Sequence, residues 1–383
     1  MTHRMYVLCS LGSFFLLGLP PAAHGADDPA RGATLYVTTY GCVACHTNPP
    51  TKLLVIGATA DGLLTVIKSV PAMSTKYAST LAKNPTDIAD IAAYIASVLA
   101  PPPAAPDLNQ HGLTGSWFNA ATSGQGIEVE VFANASTGTG STFVSWFTYD
   151  IVAGGAERQR WYTAQGPVVT GQPSAALTIY QNTGGNFNAS PVTNAQAVGT
   201  ATLSFDTCTS GQLSYSFADG TGRSGTMPLT RLTQNVTCST TTPHPANADF
   251  ALSGNWFGGA ATSGQGFTVE VNPTSGALFA AWYTYVPSGT GAGAAGQRWY
   301  TAQGSFTPGM RSISVTIYET TGGIFDKPTP PGQGTVPVGT GTMTFQNCSA
   351  ATFSYAFTGG SSAGLSGTIA LSRVGPVPPG CTS

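Results

Sequence analysis

The sequence predicts a multidomain protein in which a small all-α domain is followed by two all-β domains, each an eight-stranded up-and-down barrel or a sandwich. Helical periodicity of apolar residues is confined to the first 100 positions. The remainder carries a tandem duplication whose short strand patterns are separated by Gly, Asn, Asp and Ser turns. The predicted boundaries are 26–100 for the all-α domain, 101–111 for a Pro/Ala-rich linker, 112–238 and 251–381 for the two repeats, and 239–250 for a second linker.

The composition restricts the class of protein. The chain has 383 residues, of which 42% are hydrophobic and only 8% are charged, with a net charge of −2. The apolar content is sufficient for packed cores, and the length suits two or three domains. The absence of a basic excess argues against a nucleic-acid partner and against electrostatic attachment to an anionic membrane.

The N-terminus is predicted to be a signal peptide covering residues 1–25. A short basic start at His3 and Arg4 precedes an apolar run, 5–19, that is short for a membrane span. Ala23-His24-Gly25 is a plausible cleavage site, and an uncleaved anchor is the alternative. Cleavage predicts a bacterial periplasmic or secreted protein with no membrane span.

Cys42-Val-Ala-Cys45-His46 is the motif with the clearest chemistry. Two thiols two residues apart can attach to the two vinyl groups of a porphyrin, and the adjacent imidazole can bind iron, so the pattern predicts covalently attached haem c. A dithiol redox pair and a zinc site are the alternatives. A zinc site needs further ligands, and no other Cys lies between residues 26 and 207.

Three helices are predicted around this motif. Asp28 and Pro29 are typical of a helix start, and Asn84 and Pro85 repeat that signal before an apolar stripe of four isoleucine and leucine residues. Apolar periodicity over 61–70 predicts a middle helix. These signals give the all-α assignment for 26–100.

This segment resembles the class I monohaem cytochrome c family. The resemblance rests on Gly32 and Tyr36 before the Cys-x-x-Cys-His motif, on Pro71-Ala72-Met73 after the middle helix, and on Tyr94 in the last helix. It implies that the first and last helices cross at a contact of Gly32, Tyr36 and Tyr94. It also implies that Met73 is the second axial iron ligand, opposite His46; Met73 as core filler is the alternative.

The two downstream repeats correspond position by position. Gln159-Arg-Trp-Tyr-Thr-Ala-Gln-Gly166 recurs intact as 297–304, and Ala121-Thr-Ser-Gly-Gln-Gly126 recurs as 261–266. The eight predicted strands of the first repeat centre on Trp117, Val129, Trp146, Trp161, Ile179, Leu203, Tyr215 and Leu229.

The first and last strands of each repeat resemble those of lipocalin and avidin-like barrels. The matching residues are Leu-x-Gly-x-Trp at the first strand and Leu-x-Arg at the last. The resemblance implies that an Arg packs on the Trp and closes one end of the barrel. The pairs would be Trp117 with Arg231 and Trp256 with Arg373, and a sandwich remains the alternative fold.

The cysteine count predicts two disulfides. Of the seven cysteines, Cys9 would leave with the signal peptide and two belong to the haem motif. Four remain, at matching places in the two repeats. The expected bridges are Cys208–Cys238 and Cys348–Cys381, with pairing across the repeats as the alternative.

Polar residues that occur in both repeats are candidates for a ligand site. They are Gln125, Glu130, Arg160 and Gln165 in the first repeat, and Gln265, Glu270, Arg298 and Gln303 in the second. Glu130 and Arg160 could instead form a structural ion pair. The repeats contain no nucleophile elbow and no cluster of metal-ligand residues, which disfavours catalysis.

The sequence therefore predicts an exported monohaem c-type cytochrome that transfers single electrons to an unidentified redox partner. The duplicated β domains would serve for docking or would bind a small molecule or glycan. Two alternatives remain: a haem-based redox or gas sensor, and a carbohydrate- or polymer-binding protein with an attached cytochrome.

Overall fold

A computed structural model describes residues 28–50, 58–99, 104–288, 290–330 and 332–382. The chain divides into two compact units, Met1–Pro102 and Pro103–Ser383. The predicted signal peptide, with His24 and Cys9, lies outside the described residues, as do residues 100–103 at the start of the predicted linker.

The described part of the first unit contains four α-helices: α1 (Pro29–Thr34), α2 (Ala60–Ser69), α3 (Pro71–Tyr77) and α4 (Pro85–Leu99). The predicted caps are present. Asp28 Oδ1 accepts hydrogen bonds from the Ala30 and Arg31 N–H groups, and Asn84 Oδ1 accepts one from Asp87 N–H at 3.2 Å. α1 continues directly into a π-helical turn, Leu35–Thr39.

α1 and α4 cross at Gly32. A Cβ atom at this position would lie 1.9 Å from the Asp90 carbonyl oxygen, so only glycine permits the approach. Beside the crossing, the rings of Tyr36 and Tyr94 pack edge to face with centroids 5.6 Å apart. The contact of these three residues that was predicted from the sequence is therefore present.

The second unit consists of two closed eight-stranded antiparallel barrels. The first contains β1 (Gly115–Phe118), β2 (Gly126–Ser136), β3 (Thr139–Tyr149), β4 (Gln159–Val169), β5 (Ser174–Thr183), β6 (Asn194–Phe205), β7 (Ser210–Phe217) and β8 (Ser224–Arg231). The second contains β9 (Gly254–Phe257), β10 (Gly266–Asn272), β11 (Ala277–Tyr285), β12 (Gln297–Ser305), β13 (Ser312–Thr321), β14 (Gly334–Phe345), β15 (Ala350–Phe357) and β16 (Ser366–Arg373). Each strand centre predicted for the first repeat lies in its own strand.

Each barrel closes where its first strand pairs with its last. Trp117 is opposite Arg231 in the β1–β8 pair, and Trp256 is opposite Arg373 in the β9–β16 pair. The guanidinium carbon lies 5.4 Å from the Trp117 ring centroid in the first barrel and 4.7 Å from the Trp256 centroid in the second. The barrel alternative is confirmed, and both Trp–Arg contacts are present.

Two disulfides tie chain segments to the barrels, Cys208–Cys238 and Cys348–Cys381. Cys208 and Cys348 lie in the turns that follow β6 and β14. Their partners lie in the segments that follow the last strand of each barrel. The pairing within repeats is the one the sequence predicted.

Three apolar clusters stabilise the second unit. Trp117 and Trp146 lie in the core of the first barrel, and Trp256 and Trp282 lie in the core of the second. The remaining tryptophan of each repeat, Trp161 or Trp299, lies outside the barrel cores in a third cluster. This cluster joins Phe147 and Tyr149 of one barrel to Tyr283 and Tyr285 of the other.

The predicted fold class is wrong. The protein is predominantly β, with sixteen strands and four α-helices among the described residues. The two repeats form one compact unit and not two separate all-β domains, because each buries apolar and polar groups against the other. A distinct all-α domain is not seen either: the described helices have 6 to 15 residues and alternate with π-helical and 3₁₀ turns.

Candidate functional site

The Cys42–His46 motif lies on one tight turn that follows the π-helical turn. Gly41 adopts φ 60°, a left-handed conformation that favours glycine, and the chain then forms a 3₁₀ turn over Cys42–Ala44. The Cys45 and His46 N–H groups both donate to the Cys42 carbonyl, at 3.1 and 3.0 Å. Both thiols are free; Cys42 is buried and Cys45 is exposed. The turn thus presents two unpaired thiols immediately before an imidazole.

The surroundings of Cys42 disfavour dithiol chemistry. Burial raises the pKa of the Cys42 thiol, and this rise is only partly opposed by a hydrogen bond with the Tyr77 hydroxyl and by the Lys76 ammonium group. Reactive Cys-x-x-Cys pairs instead contain a thiol with a lowered pKa. Burial therefore makes Cys42 itself a weaker nucleophile than an ordinary exposed thiol.

Two tyrosines hold the chain that follows His46. Tyr36 OH donates to the Thr47 carbonyl at 3.1 Å, and Tyr94 OH donates to Asn48 Oδ1 at 2.8 Å. Because these tyrosines come from the two crossing helices, the helix crossing positions the residues next to the motif. The resemblance implied the packing contact of these aromatic residues, and the structure adds their hydrogen bonds to Thr47 and Asn48.

An ion-pair cluster fixes the same helix crossing. Arg31 pairs with Asp87 and with Asp90, two carboxylates on α4. Asp87 Oδ2 also accepts a hydrogen bond from the Tyr40 hydroxyl. The backbone carbonyl of Tyr40 in turn accepts one from the Tyr77 hydroxyl at 3.0 Å. This chain of contacts extends from α4 to Tyr77 in α3. The sequence reasoning missed Arg31, although one helical turn separates Asp87 from Asp90.

Met73 lies in the first turn of α3, whose first residue is Pro71. Its side chain is half-buried and packs against the apolar cluster that contains Cys42, Leu63 and Tyr77. The described part of the first unit therefore contains two free thiols, an imidazole and a thioether, and the Met73 thioether packs against the cluster that includes the Cys42 thiol. This donor set matches the residue types that attach and ligate a c-type haem.

Glu130 and Glu270 each form a hydrogen bond and an ion pair with residues of the opposite barrel. Glu130 accepts a hydrogen bond from Asn255 N–H at 2.6 Å and lies 3.4 Å from Arg373 of the second barrel. Glu270 accepts one from Ser116 N–H at 2.9 Å and lies 3.3 Å from Arg231 of the first barrel. Burial raises the pKa of Glu130 to about 8, and Arg373 and the Asn255 amide oppose this rise. Both glutamates thus contact the arginine that closes the opposite barrel.

Arg160 and Arg298 have a local role. Arg160 donates to the Asp150 carboxylate at 2.6 Å, and Asp150 also pairs with Arg158. The ion pair of Glu130 with Arg160, considered from the sequence, is not formed. Arg298 donates to the Ala295 carbonyl at 3.0 Å, and burial lowers its pKa. Each arginine therefore ties the turn before its strand to the strand itself.

Gln125 and Gln265 hold a loop of the other barrel. Gln125 Nε2 donates to the Ile324 carbonyl at 3.0 Å, and its Oε1 accepts from Asp326 N–H at 3.1 Å. Gln265 Oε1 accepts from Asn188 N–H at 3.2 Å in the reciprocal arrangement. These two glutamines belong to the barrel–barrel contact.

The loops held by these glutamines insert one phenylalanine into each opposite barrel. Phe325 belongs to the core cluster of the first barrel, and Phe187 belongs to that of the second. Phe325 lies 5.2 Å from Trp146 and Phe187 lies 5.5 Å from Trp282, measured between ring centroids. The reciprocal insertions therefore place one phenylalanine of each barrel within the core of the other.

Gln159 and Gln297 hold the two barrels together, and the sequence did not predict this role. Gln159 Nε2 donates to the Trp299 carbonyl at 3.0 Å, and Gln297 Nε2 donates to the Trp161 carbonyl at 2.9 Å. Both side chains are fully buried. The sequence signal that could have indicated this role is the identity of segments 159–166 and 297–304, which both begin with this glutamine.

Gln165 and Gln303 are exposed on the outer barrel surfaces. The eight residues proposed from the sequence are therefore not brought together in one place. Six of them take part in interface or turn contacts, and these two remain accessible to a ligand.

No model of a known protein family matches this chain, and no curated protein matches it. None of the helices that the structure describes has the length and apolar character needed to span a bilayer. Within the same described ranges, no three His, Cys, Asp or Glu side chains form a group that could hold a metal ion.

Proposed function

We propose that this chain is an exported monohaem c-type cytochrome that transfers single electrons, with the paired barrels as a binding or docking module. The observation that carries the proposal is the pair of free thiols on the single turn that ends at His46. The burial of the Cys42 thiol, which raises its pKa, adds support, because a reactive dithiol pair contains a thiol with a lowered pKa.

Four residues have assigned roles in the proposal. Cys42 and Cys45 would attach the haem through thioether bonds, and His46 would be the proximal iron ligand. Met73 would be the distal ligand, by resemblance to class I cytochromes c. When bound, the haem supplies a reversible one-electron couple. Tyr36 and Tyr94 hold the chain beside His46.

Two observations support the export that haem attachment requires. The apolar run after Arg4 has the length of a signal peptide. The two disulfides suit an oxidising compartment such as the periplasm or the cell exterior. Both observations support a site of action outside the cytoplasm.

The test is to produce the full chain in a bacterium with an active c-type maturation system and to measure covalent haem by mass spectrometry. The mature chain is expected to carry one haem, and Cys42→Ser with Cys45→Ser is expected to carry none. Cys208→Ser with Cys238→Ser is the matched control, since it removes two cysteines outside the motif and should retain the haem. If the wild-type chain carries no haem, the proposal fails, and Cys42 and Cys45 must serve another role such as a dithiol pair.

The Met73 assignment is tested on the same protein by absorption spectroscopy. Met73→Ala should abolish the weak red absorption band that reports sulfur ligation in the oxidised state. Met310→Ala, in a half-buried methionine of the second barrel, should leave the band unchanged. A band that survives Met73→Ala would remove Met73 as a ligand. A wild-type haem lacking the band would favour a sensor with an open iron site.

A further inference from the structure

The geometry points to a second binding site, independent of the haem, in which a cavity at the seam of the two barrels takes one neutral saccharide residue. This seam cavity has a volume of about 350 Å³. Its walls come from β3, β4 and β5 of the first barrel and from β9, β10 and β11 of the second. The volume lies within the range of roughly 300–1,000 Å³ that is typical of small-molecule sites.

Aromatic rings form much of the cavity wall. Trp161 and Tyr283 are buried there, and Phe143, Tyr180 and Phe257 are half-buried, so their rings are partly accessible. The apolar C–H faces of a pyranose ring pack well on such surfaces, because aromatic rings offer a flat apolar face of similar size.

Asn255 adds a buried amide group to the cavity wall. Its side chain lines the cavity, is 6% exposed and also neighbours the Glu130 carboxyl group, whose pKa it helps to lower. Its Oδ1 accepts a hydrogen bond from the Thr268 hydroxyl at 2.6 Å, which fixes the orientation of the amide. Thr268 Oγ1 also lies 3.2 Å from Ser145 Oγ. These contacts hold Asn255 in place as a polar part of the cavity wall.

The remaining polar groups of the cavity are amides and hydroxyls. Gln165 is exposed at the cavity, and Asn182 lies within it with its Nδ2 donating to Thr163 Oγ1 at 3.1 Å. No charged side chain is among the described residues that line the cavity. The ligand is therefore uncharged, with an apolar face for the rings and several hydroxyls for the amides. A sugar ring meets both requirements.

The duplicated barrel provides matched controls. The positions of Asn255 and Thr268 are occupied in the first repeat by Ser116 and Glu128, and Ser116 Oγ donates to Glu128 Oε2 at 2.9 Å. Tyr180 has its counterpart in Tyr318, which is also half-buried but does not line the seam cavity. The two sites have therefore diverged, and each cavity residue can be compared with its own repeat partner.

The test is saturation-transfer NMR and calorimetric titration of the full-length protein with methyl pyranosides of glucose, galactose, mannose, xylose and N-acetylglucosamine. At least one glycoside is expected to bind. Tyr180→Ala and Gln165→Ala should each raise the dissociation constant by about tenfold or more, equivalent to the loss of one stacking or polar contact. Tyr318→Ala should leave it within about twofold. Near-ultraviolet circular dichroism of each variant confirms that it is folded.

Binding of none of these glycosides, or binding that Tyr180→Ala and Tyr318→Ala weaken equally, would overturn the inference. Phenol is the discriminating probe: phenol binding with no glycoside binding would assign the cavity to aromatic ligands. The titration is repeated on Cys42→Ser with Cys45→Ser. Unchanged glycoside affinity in this variant is expected, and it separates failure of the haem proposal from failure of this one.

Discussion

At the residue scale, the most consequential side chains are the two arginines that close the barrels. Arg373 donates to the carbonyls of Ala251 and Ser253, at 2.7 and 3.0 Å, and pairs with Glu130 of the other barrel. The Arg373 and Glu130 side chains are each about 1% exposed. Loss of Arg373 would leave the Ala251 and Ser253 carbonyl oxygens and the Glu130 carboxyl group buried without their hydrogen-bond donor, which is strongly unfavourable.

Arg373→Met should lower the free energy of unfolding by about 3–5 kcal/mol, since it leaves Glu130 and several carbonyl oxygens unpaired. Chemical denaturation followed by tryptophan fluorescence measures the change. Arg311→Met is the matched control: Arg311 pairs with Asp249 at 2.8 Å but is 36% exposed, so its loss should cost at most about 1 kcal/mol. Equal costs for the two substitutions would contradict the role assigned to Arg373.

Glu128 predicts a pH dependence of stability. Burial, followed by the neighbouring Glu270 carboxylate, raises its pKa well above the ordinary value of 4.5, against the opposing effects of Ser116 and Arg231. The folded state therefore retains a proton that the unfolded state releases. The contribution of Glu128 to stability is fully present below pH 4.5 and declines as the pH rises above this value.

Glu128→Gln should make the decline of stability with rising pH smaller, leaving the part due to Glu130, and should raise the melting temperature near pH 8 by at least about 2 °C. Melting temperatures of wild type and variant between acidic and mildly alkaline pH measure the effect. Glu157→Gln serves as the control, because Glu157 is exposed and its pKa is lowered, so the wild-type decline should persist. Parallel wild-type and Glu128→Gln profiles would show that Glu128 is not the titrating group.

At the element scale, the loops β5–β6 and β13–β14 act as reciprocal plugs. The loop after β5 carries Phe187 into the core of the second barrel, and the loop after β13 carries Phe325 into the core of the first. In the first barrel, the Arg223 guanidinium carbon lies 4.7 Å from the Phe325 ring centroid and 4.0 Å from that of Phe217. The plug is thus held by aromatic and cation–π contacts as well as by the Gln125 hydrogen bonds.

Phe325→Ala should lower the free energy of unfolding by about 3–5 kcal/mol, because it removes a buried ring and leaves a cavity in the core of the first barrel. Urea denaturation measures this loss. The control is Ile151→Ala, which truncates a side chain that is 57% exposed and should change stability by no more than about 0.5 kcal/mol. A comparably small effect of Phe325→Ala would mean that the loop is not needed to complete the barrel.

At the scale of the whole molecule, the two barrels are one structural unit because each completes the other. One interface contains all the contacts between the barrels described above: the ion pairs of Glu130 and Glu270, the hydrogen bonds of Gln159 and Gln297, and the two inserted phenylalanine loops. Separation would expose the cluster of Trp161, Trp299 and their tyrosine neighbours to water. The hydrophobic effect therefore couples the folding of the two repeats.

This coupling predicts that both barrels unfold in a single transition. All six tryptophans lie in the repeats, so the fluorescence of the full-length protein reports only on them. With the disulfides intact, the urea curve should be a single sigmoid, and Arg231→Met or Arg373→Met should shift the whole curve. Two resolved transitions, with only one displaced by each substitution, would show that the barrels unfold independently.

The sequence by itself determined the features that depend on neighbouring residues. Alternating residues and turn signals located the strands, cap residues located the helix starts, and matching cysteine positions indicated the disulfides; the helix crossing at Gly32 was implied by the resemblance to cytochromes c. These predictions succeeded because side-chain periodicity and capping are local properties of the chain. The Cys42–His46 chemistry is also local, and it remains a prediction that covalent haem would test.

The tertiary structure alone decided what the repeated polar residues do. Glu130 contacts Arg373, which is 243 positions further along the chain, and no local pattern specifies that partner. A residue kept in both copies for assembly looks the same in sequence as one kept for a ligand. Burial distinguishes the two, because a buried polar group needs a partner wherever the fold brings one. For this reason the prediction of two separate β domains was wrong: the two barrels share a buried interface and form one compact unit.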